Sequence, residues 1–293
     1  MALIVKNEEP KPPHRGLKKG LYLIPTAFTA ANIGMGFLAV LWSIRGFQSV
    51  FTNPESAAYY FNYAAVAIGL AILFDTLDGR VARMTRTATE IGVQFDSLAD
   101  VLTFGIAPIA LIFSWSIAAT FGENSPAYGF GIFLLFMYLM CGAFRLARFN
   151  LQATRPRVLI EGTPKIDKKN FVGLPIPPAA GLLAAIVHFS PLPLNAHGDQ
   201  MANFYSALIM ILLAVLGALM VSTIRYTSFK QTGSGRRNLY FVLLIAAVGM
   251  LIWLYSKYVV LILAVVYVSH GIIWHLAGLL RPRRKTEEVR TEN

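Results

Sequence analysis

Residues 203–224, NFYSALIMILLAVLGALMVSTI, contain no charged side chain, and the chain returns to apolar runs of about this length throughout. No other feature constrains the fold as strongly. A helix needs about 20 apolar residues to cross a hydrocarbon core roughly 30 Å thick. Backbone polar groups in lipid have to be satisfied within the protein, and a helix does this inside one segment. Eight candidate spans are readable, at 21–44, 58–79, 96–118, 127–148, 172–189, 203–224, 238–256 and 258–280. Composition agrees, with 56% of the 293 residues hydrophobic and only 14% charged, where a soluble domain carries about a quarter charged residues. The sequence predicts an all-α integral membrane protein: one membrane domain over 21–280 between polar tails at 1–20 and 281–293.

The lysines and arginines set the orientation. Of the 26, all but Arg45 and Lys257 fall in the two tails or in the second, fourth and sixth connections. The positive-inside rule makes that side cytoplasmic, so both termini are expected in the cytoplasm of a multi-pass protein of the cell membrane. The net charge of +11 is thereby confined to one face. That points to anionic headgroups and phosphorylated substrates, and no basic-aromatic module favours nucleic acid. Cys141, the sole cysteine, lies in an apolar run and excludes an intramolecular disulfide. The charged, proline-containing first twenty residues do not read as a signal peptide, so no cleaved signal is expected. His188, His197, His270 and His275 show no ligand spacing with carboxylates and are read as interfacial or packed.

Against this apolar background, DTLDGRVARMTRTATEIGVQFDSLAD at 75–100 places four aspartates beside the hydrophobic segments. Asp75 and Asp78 are three apart and Asp96 and Asp100 four apart, so each pair shares a helix face. Two antiparallel helices with a short connection can aim all four carboxylates at one point. Protonation or divalent cations would relieve their repulsion. An all-oxygen donor set without His or Cys suits Mg²⁺, Mn²⁺ or Ca²⁺ rather than zinc. Two such ions would match the arrangement used for displacement at phosphorus. Gly79 and Gly92 permit close backbone approach, Ala82 keeps the same face small, and Arg83 offers a fork suited to phosphate. Salt bridges from these acids to Arg80, Arg83 and Arg86 are the competing reading, but they need no glycines in register.

The stretch resembles the signature of the CDP-alcohol phosphotransferase family, D-x2-D-G-x2-A-R-x8-G-x3-D-x3-D, at Asp75, Asp78, Gly79, Ala82, Arg83, Gly92, Asp96 and Asp100. Family members are membrane enzymes that pass a substituted phosphoryl group from a CDP-linked donor to an alcohol and release CMP. The resemblance implies Mg²⁺ or Mn²⁺, expected as two ions, held by Asp75, Asp78, Asp96 and Asp100. It also implies Asp100 as the base that takes the alcohol's proton. Gly79, Ala82, Arg83, Thr89 and Gly92 would hold the CDP-diacylglycerol donor. The run PTAFTAANIGMG, at the start of the first span, resembles the family's first-helix segment, so Pro25, Thr26 and Thr29 would line the nucleotide pocket. A helix cap and a kink would use the same residue types.

Two further segments, CGAFRLARFN at 141–150 and FVGLPIPPAAG at 171–181, are similar to those of the bacterial and archaeal phosphatidylserine synthases within this superfamily. That resemblance, which reaches across about residues 20–190, implies L-serine as acceptor, with Arg145, Arg148, Asn150, Gly173 and Pro175 as candidates for its pocket. An arginine suits the amino acid's carboxylate, and a proline-broken helix start leaves carbonyls able to accept from its ammonium group. Membrane anchoring by the same arginines is the alternative. A homodimer is expected, and no nucleic acid partner.

Three other readings stay open at this point. Another member of the family would use an inositol phosphate, glycerol phosphate or aminoalcohol. An intramembrane prenyltransferase would carry two distant aspartate motifs, whereas residues 101–293 hold only Asp167 and Asp199. A divalent-cation transporter would place acids near the midplane of several spans.

Overall fold

A computed structural model describes residues 15–85, 90–154, 170–227 and 236–280. Helix α1 covers Arg15–Ser49 and α2 Pro54–Thr85. The third helical rod, α3, runs over 90–120 as five consecutive pieces. Helix α4 is Pro126–Thr154, α5 Ile176–Phe189, α6 Asp199–Val221 and α7 Arg236–Leu280. Among the described residues six helices are long and apolar enough to cross a membrane; α5, with 14 residues, is a shorter apolar helix. The chain is a multi-pass, helical membrane protein. Its strands among the described residues are the three-residue β1 (Asn170–Val172) and β2 (Arg225–Thr227).

Local chemistry places the helix starts. Asn53 caps α2, its Oδ1 accepting from the Ser56 amide at 3.0 Å, with Pro54 at the first helical position and Glu55 in the first turn. Ser125 caps α4 in the same way, its Oγ accepting from the Tyr128 amide at 3.3 Å ahead of Pro126. Helix α1 begins at Arg15, inside the stretch expected as a tail. Pro25 therefore lies well inside the helix instead of near its start.

The helices pack through small residues. Ala57, Ala64, Ala65, Ala67, Ala71 and Gly36 are all buried, which lets backbones approach closely where lipid offers no hydrophobic driving force. Gly36 is required: a Cβ there would stand 2.6 Å from Thr103 Oγ1. Rod α3 lies deepest. Val101–Ile106 and Phe113–Ile117 are π-helical, and the first of these turns follows directly on Asp100. Such turns disturb the ordinary helical ladder and are frequent at functional sites. Tyr138 of α4 donates to the Phe104 carbonyl there at 3.2 Å.

Strands β1 and β2 pair antiparallel with Phe171 opposite Tyr226. The ladder continues as Gly173 N to Ile224 O at 2.8 Å and Leu174 N to Leu219 O at 3.0 Å. It fastens the start of α5 to the end of α6.

The last two expected spans form one element. Helix α7 is broken only at Tyr255, off-helical at φ −135° and ψ 44°, which marks a kink two residues before the expected break at Lys257. His188, in the last turn of α5, faces Ser256 through Nε2 to Oγ at 3.0 Å, and Phe189 meets the Tyr258 ring with centroids 5.5 Å apart. Tyr267, further along α7, interacts electrostatically with Arg145 of α4.

Candidate active site

Four helices build the site. Helix α2 runs toward its C-terminal end with Asp75 and Asp78 one turn apart, and α3 answers with Asp96 and Asp100. One carboxylate oxygen each from Asp75, Asp96 and Asp100 lies within 4.8 Å of the others. Asp75 and Asp100 reach hydrogen-bonding distance of one another. Asp78 stands outside this trio, is buried at 7% exposure, and accepts the hydroxyl of Thr29 from α1. The fourth helix, α4, brings Arg145 within electrostatic reach of Asp100.

Fully ionised, three carboxylates at such separations would repel one another by roughly 3–4 kcal/mol per pair at an effective dielectric of about 20. Opposite ligands of an Mg²⁺ ion stand about 4 Å apart and those of Ca²⁺ about 5 Å, so the 4.8 Å envelope has the size of one hard cation's shell. The Oδ1 of Asp100 is buried and has no hydrogen-bond partner within the protein. These residues fit a divalent ion.

Helix α4 runs antiparallel to α3 and meets it repeatedly. Tyr138 bonds Phe104, Arg145 stands by Asp100, and the Asn150 amide donates to Ser97 Oγ at 2.9 Å. Arg145 is largely buried, and its Nε has no hydrogen-bond partner. Arg148, one turn on, is half-buried. Asn150 is thus held against α3, the Gly173 amide donates to the Ile224 carbonyl just past α6, and the Pro175 carbonyl accepts from Ala179 within α5. Gly79 follows Asp78 on α2, and Ala82 and Arg83 lie on its last turns; Gly92 is exposed at the start of α3. The side chains of Pro25, Thr26, Ala82 and Arg83, and all of Thr89, lie outside the described residues.

The family model for CDP-alcohol phosphatidyltransferases matches residues 22–196. The chain belongs to this family. The matched region contains the whole aspartate signature and helices α2 to α5, while α6 and α7 lie beyond it. The family is metal-dependent, and the trio of carboxylates is an acidic cluster of a size that could hold such an ion. Over 253 residues the chain is 32% identical to the CDP-diacylglycerol–serine O-phosphatidyltransferase of Helicobacter pylori, covering 86% of this chain and 91% of that one. It is 30% identical over 243 residues to the enzyme of the same name from Methanocaldococcus jannaschii, covering 83% and 94%. The archaetidylserine synthase of Methanothermobacter thermautotrophicus is 32% identical over 217 residues, 72% of each chain.

Sequence reasoning passed over two groups that the fold sets against neighbours of the aspartates: Asn32, whose carbonyl accepts from Thr103 of α3, and Tyr267, which interacts with Arg145. Asn32, on the buried face of α1, stands three residues after Thr29, and that T-x-x-N spacing was its available signal. Tyr267 comes from α7, where nothing in the sequence pointed to the site.

Proposed function

We propose that this protein transfers the phosphatidyl group of CDP-diacylglycerol to L-serine, giving phosphatidylserine and CMP. The convergence of Asp75, Asp96 and Asp100 within 4.8 Å carries the reading, in a chain that covers nine-tenths of a relative bearing that activity in its name. Asp75, Asp78, Asp96 and Asp100 would hold two Mg²⁺ or Mn²⁺ ions. When bound, such ions neutralise the carboxylates and stabilise charge developing on the leaving CMP.

The serine hydroxyl attacks the phosphorus that bears diacylglycerol. The bond from that phosphorus to the bridging oxygen breaks, and CMP departs with the electron pair. Asp100 takes the hydroxyl proton on its free Oδ1. Thr29 steadies Asp78. Gly79, Ala82, Arg83, Thr89 and Gly92 are assigned to the donor, and Pro25 and Thr26 to its nucleotide pocket. Arg145 is assigned to the serine carboxylate, because its Nε is buried without a partner beside the proposed base. Arg148 adds positive charge one turn away, and Asn150, Gly173 and Pro175 shape the pocket by fixing α4 and α5. Much of the rate comes from positioning, since a carboxylate is a weak base.

The same reading places both termini and the active site on the cytoplasmic side of the cell membrane, with eight crossings. Two observations support it. Lys and Arg crowd the connections on the aspartates' side. Helix α5 runs from Ile176, beside Gly142, to His188, and α7 leaves His188 at Ser256 to reach Arg145 at Tyr267. Twelve residues one way and eleven the other are matching lengths of about 17 Å at 1.5 Å per residue, so beyond its kink α7 runs back alongside α5, as eight crossings require.

Purified protein supplied with CDP-diacylglycerol and Mn²⁺ should release CMP only when serine is added. Equal release with ethanolamine, or with glycerol 3-phosphate, would remove serine as the acceptor and leave the family activity standing.

A further inference from the structure

We infer that Asn32 is a substrate-binding residue of this site, donating its side-chain amide to the phosphoryl group being transferred. The inference rests on the function proposed above and deepens it. Along α1 the buried stripe is Thr29, Asn32, Gly36, Ala39 and Ser43, at helical spacings of three and four. Three of these side chains are polar. Ser43 returns its hydroxyl to the Ala39 carbonyl at 2.7 Å, and Thr29 donates to Asp78. Asn32 is 1% exposed, and neither its Oδ1 nor its Nδ2 has a hydrogen-bond partner. A carboxamide unsatisfied at both ends inside a membrane protein is strongly unfavourable. Its partner therefore comes from outside the chain.

Position identifies that partner. Helices α1 and α2 are antiparallel neighbours joined by a short turn. Three residues inward from Thr29 lead to Asn32, as three inward from its partner Asp78 lead to Asp75. On α3, Thr103 donates to the Asn32 carbonyl at 3.3 Å, three residues beyond Asp100. Asn32 thus stands at the depth of Asp75 and Asp100, on the inner floor of the carboxylate cluster. The donor's acyl chains lie in the bilayer and its cytidine toward the charged face. The group reaching that floor is the phosphate attached to diacylglycerol. Two N–H donors on a neutral amide match its non-bridging oxygens and add no charge to a buried site.

The test uses the full chain in detergent as wild type, Asn32→Leu and Asn32→Ala. Thermal unfolding is followed without ligand, with Mn²⁺, and with Mn²⁺ plus CDP-diacylglycerol, and CMP release is followed against serine. Without ligand both variants should unfold at or above the wild-type temperature, because a partnerless amide has been removed. The Mn²⁺ shift should persist, and the additional CDP-diacylglycerol shift should vanish. Turnover should fall roughly ten- to a hundred-fold while the serine KM stays within about two-fold. A donor shift equal to wild type in either variant overturns the assignment. Loss of the Mn²⁺ shift overturns it too, making Asn32 a metal-side group, as does unfolding of both variants well below wild type. If wild type itself shows no CDP-diacylglycerol shift, the proposed function fails and this inference falls with it.

Discussion

The hydroxyl of Thr29 on α1 donates to the carboxylate of Asp78 on α2, so a helix without any of the four aspartates is bonded to one of them. Thr29→Val keeps the shape and removes the donor. A hydrogen bond to a charged group is worth about 1.5–3 kcal/mol, so turnover should drop roughly ten- to a hundred-fold. Thr29→Ser should restore most of it. If the valine variant matches wild type across an Mn²⁺ titration, the bond has no part in the reaction.

Asp75→Asn, Asp96→Asn and Asp100→Asn each remove one charge from a repelling trio. Without metal these variants should unfold at or above the wild-type temperature. The stabilisation that Mn²⁺ gives the wild type should be largely lost, and CMP release abolished. Calorimetry with and without Mn²⁺ decides this. A variant that keeps the full metal-induced gain holds no ion through that residue.

Arg145→Ala should raise the serine requirement roughly ten- to a hundred-fold and leave the CDP-diacylglycerol requirement nearly unchanged, through loss of a charge-assisted contact. Arg148→Ala should do much less, since it is Arg145 that stands by Asp100. Initial rates over a serine series separate the two. Equal, small effects would make both arginines membrane anchors.

Gly173 has φ +82°, and a Cβ there would stand 2.4 Å from the Met220 carbonyl oxygen. Gly173→Ala should destabilise the fold by roughly 1–3 kcal/mol from backbone strain alone, with more for displacing α6. Unfolding temperature reports it. Loss of serine affinity at unchanged stability would instead mark Gly173 as a direct pocket residue.

Eight crossings put Lys257 on the face opposite the C-terminal tail. In a Cys141→Ser background, Lys257→Cys in intact cells should react with an impermeant maleimide, and Arg284→Cys only after permeabilisation. Matching reactivity at the two sites would sink the return of α7.

Much of this protein was determined locally by its sequence. Uncharged runs of about twenty residues dictate helices in a membrane. Asparagine or serine before proline starts α2 and α4. Three- and four-residue spacings put each pair of aspartates on one face. All of this depends on neighbours within one helix, so the pattern alone reveals it.

What crosses between helices was decided only by the tertiary structure. Helix α1 turns Thr29 toward Asp78 and leaves Asn32 without a partner. The π turn after Asp100 changes the face that α3 shows to Tyr138, and α4 sets Arg145 and not Arg148 against Asp100. Gly173, read as a pocket residue, answers first to the Met220 carbonyl. Periodicity sets which residues share a face. The rotation and depth of each helix, settled by packing small residues against one another across the whole bundle, set what that face meets.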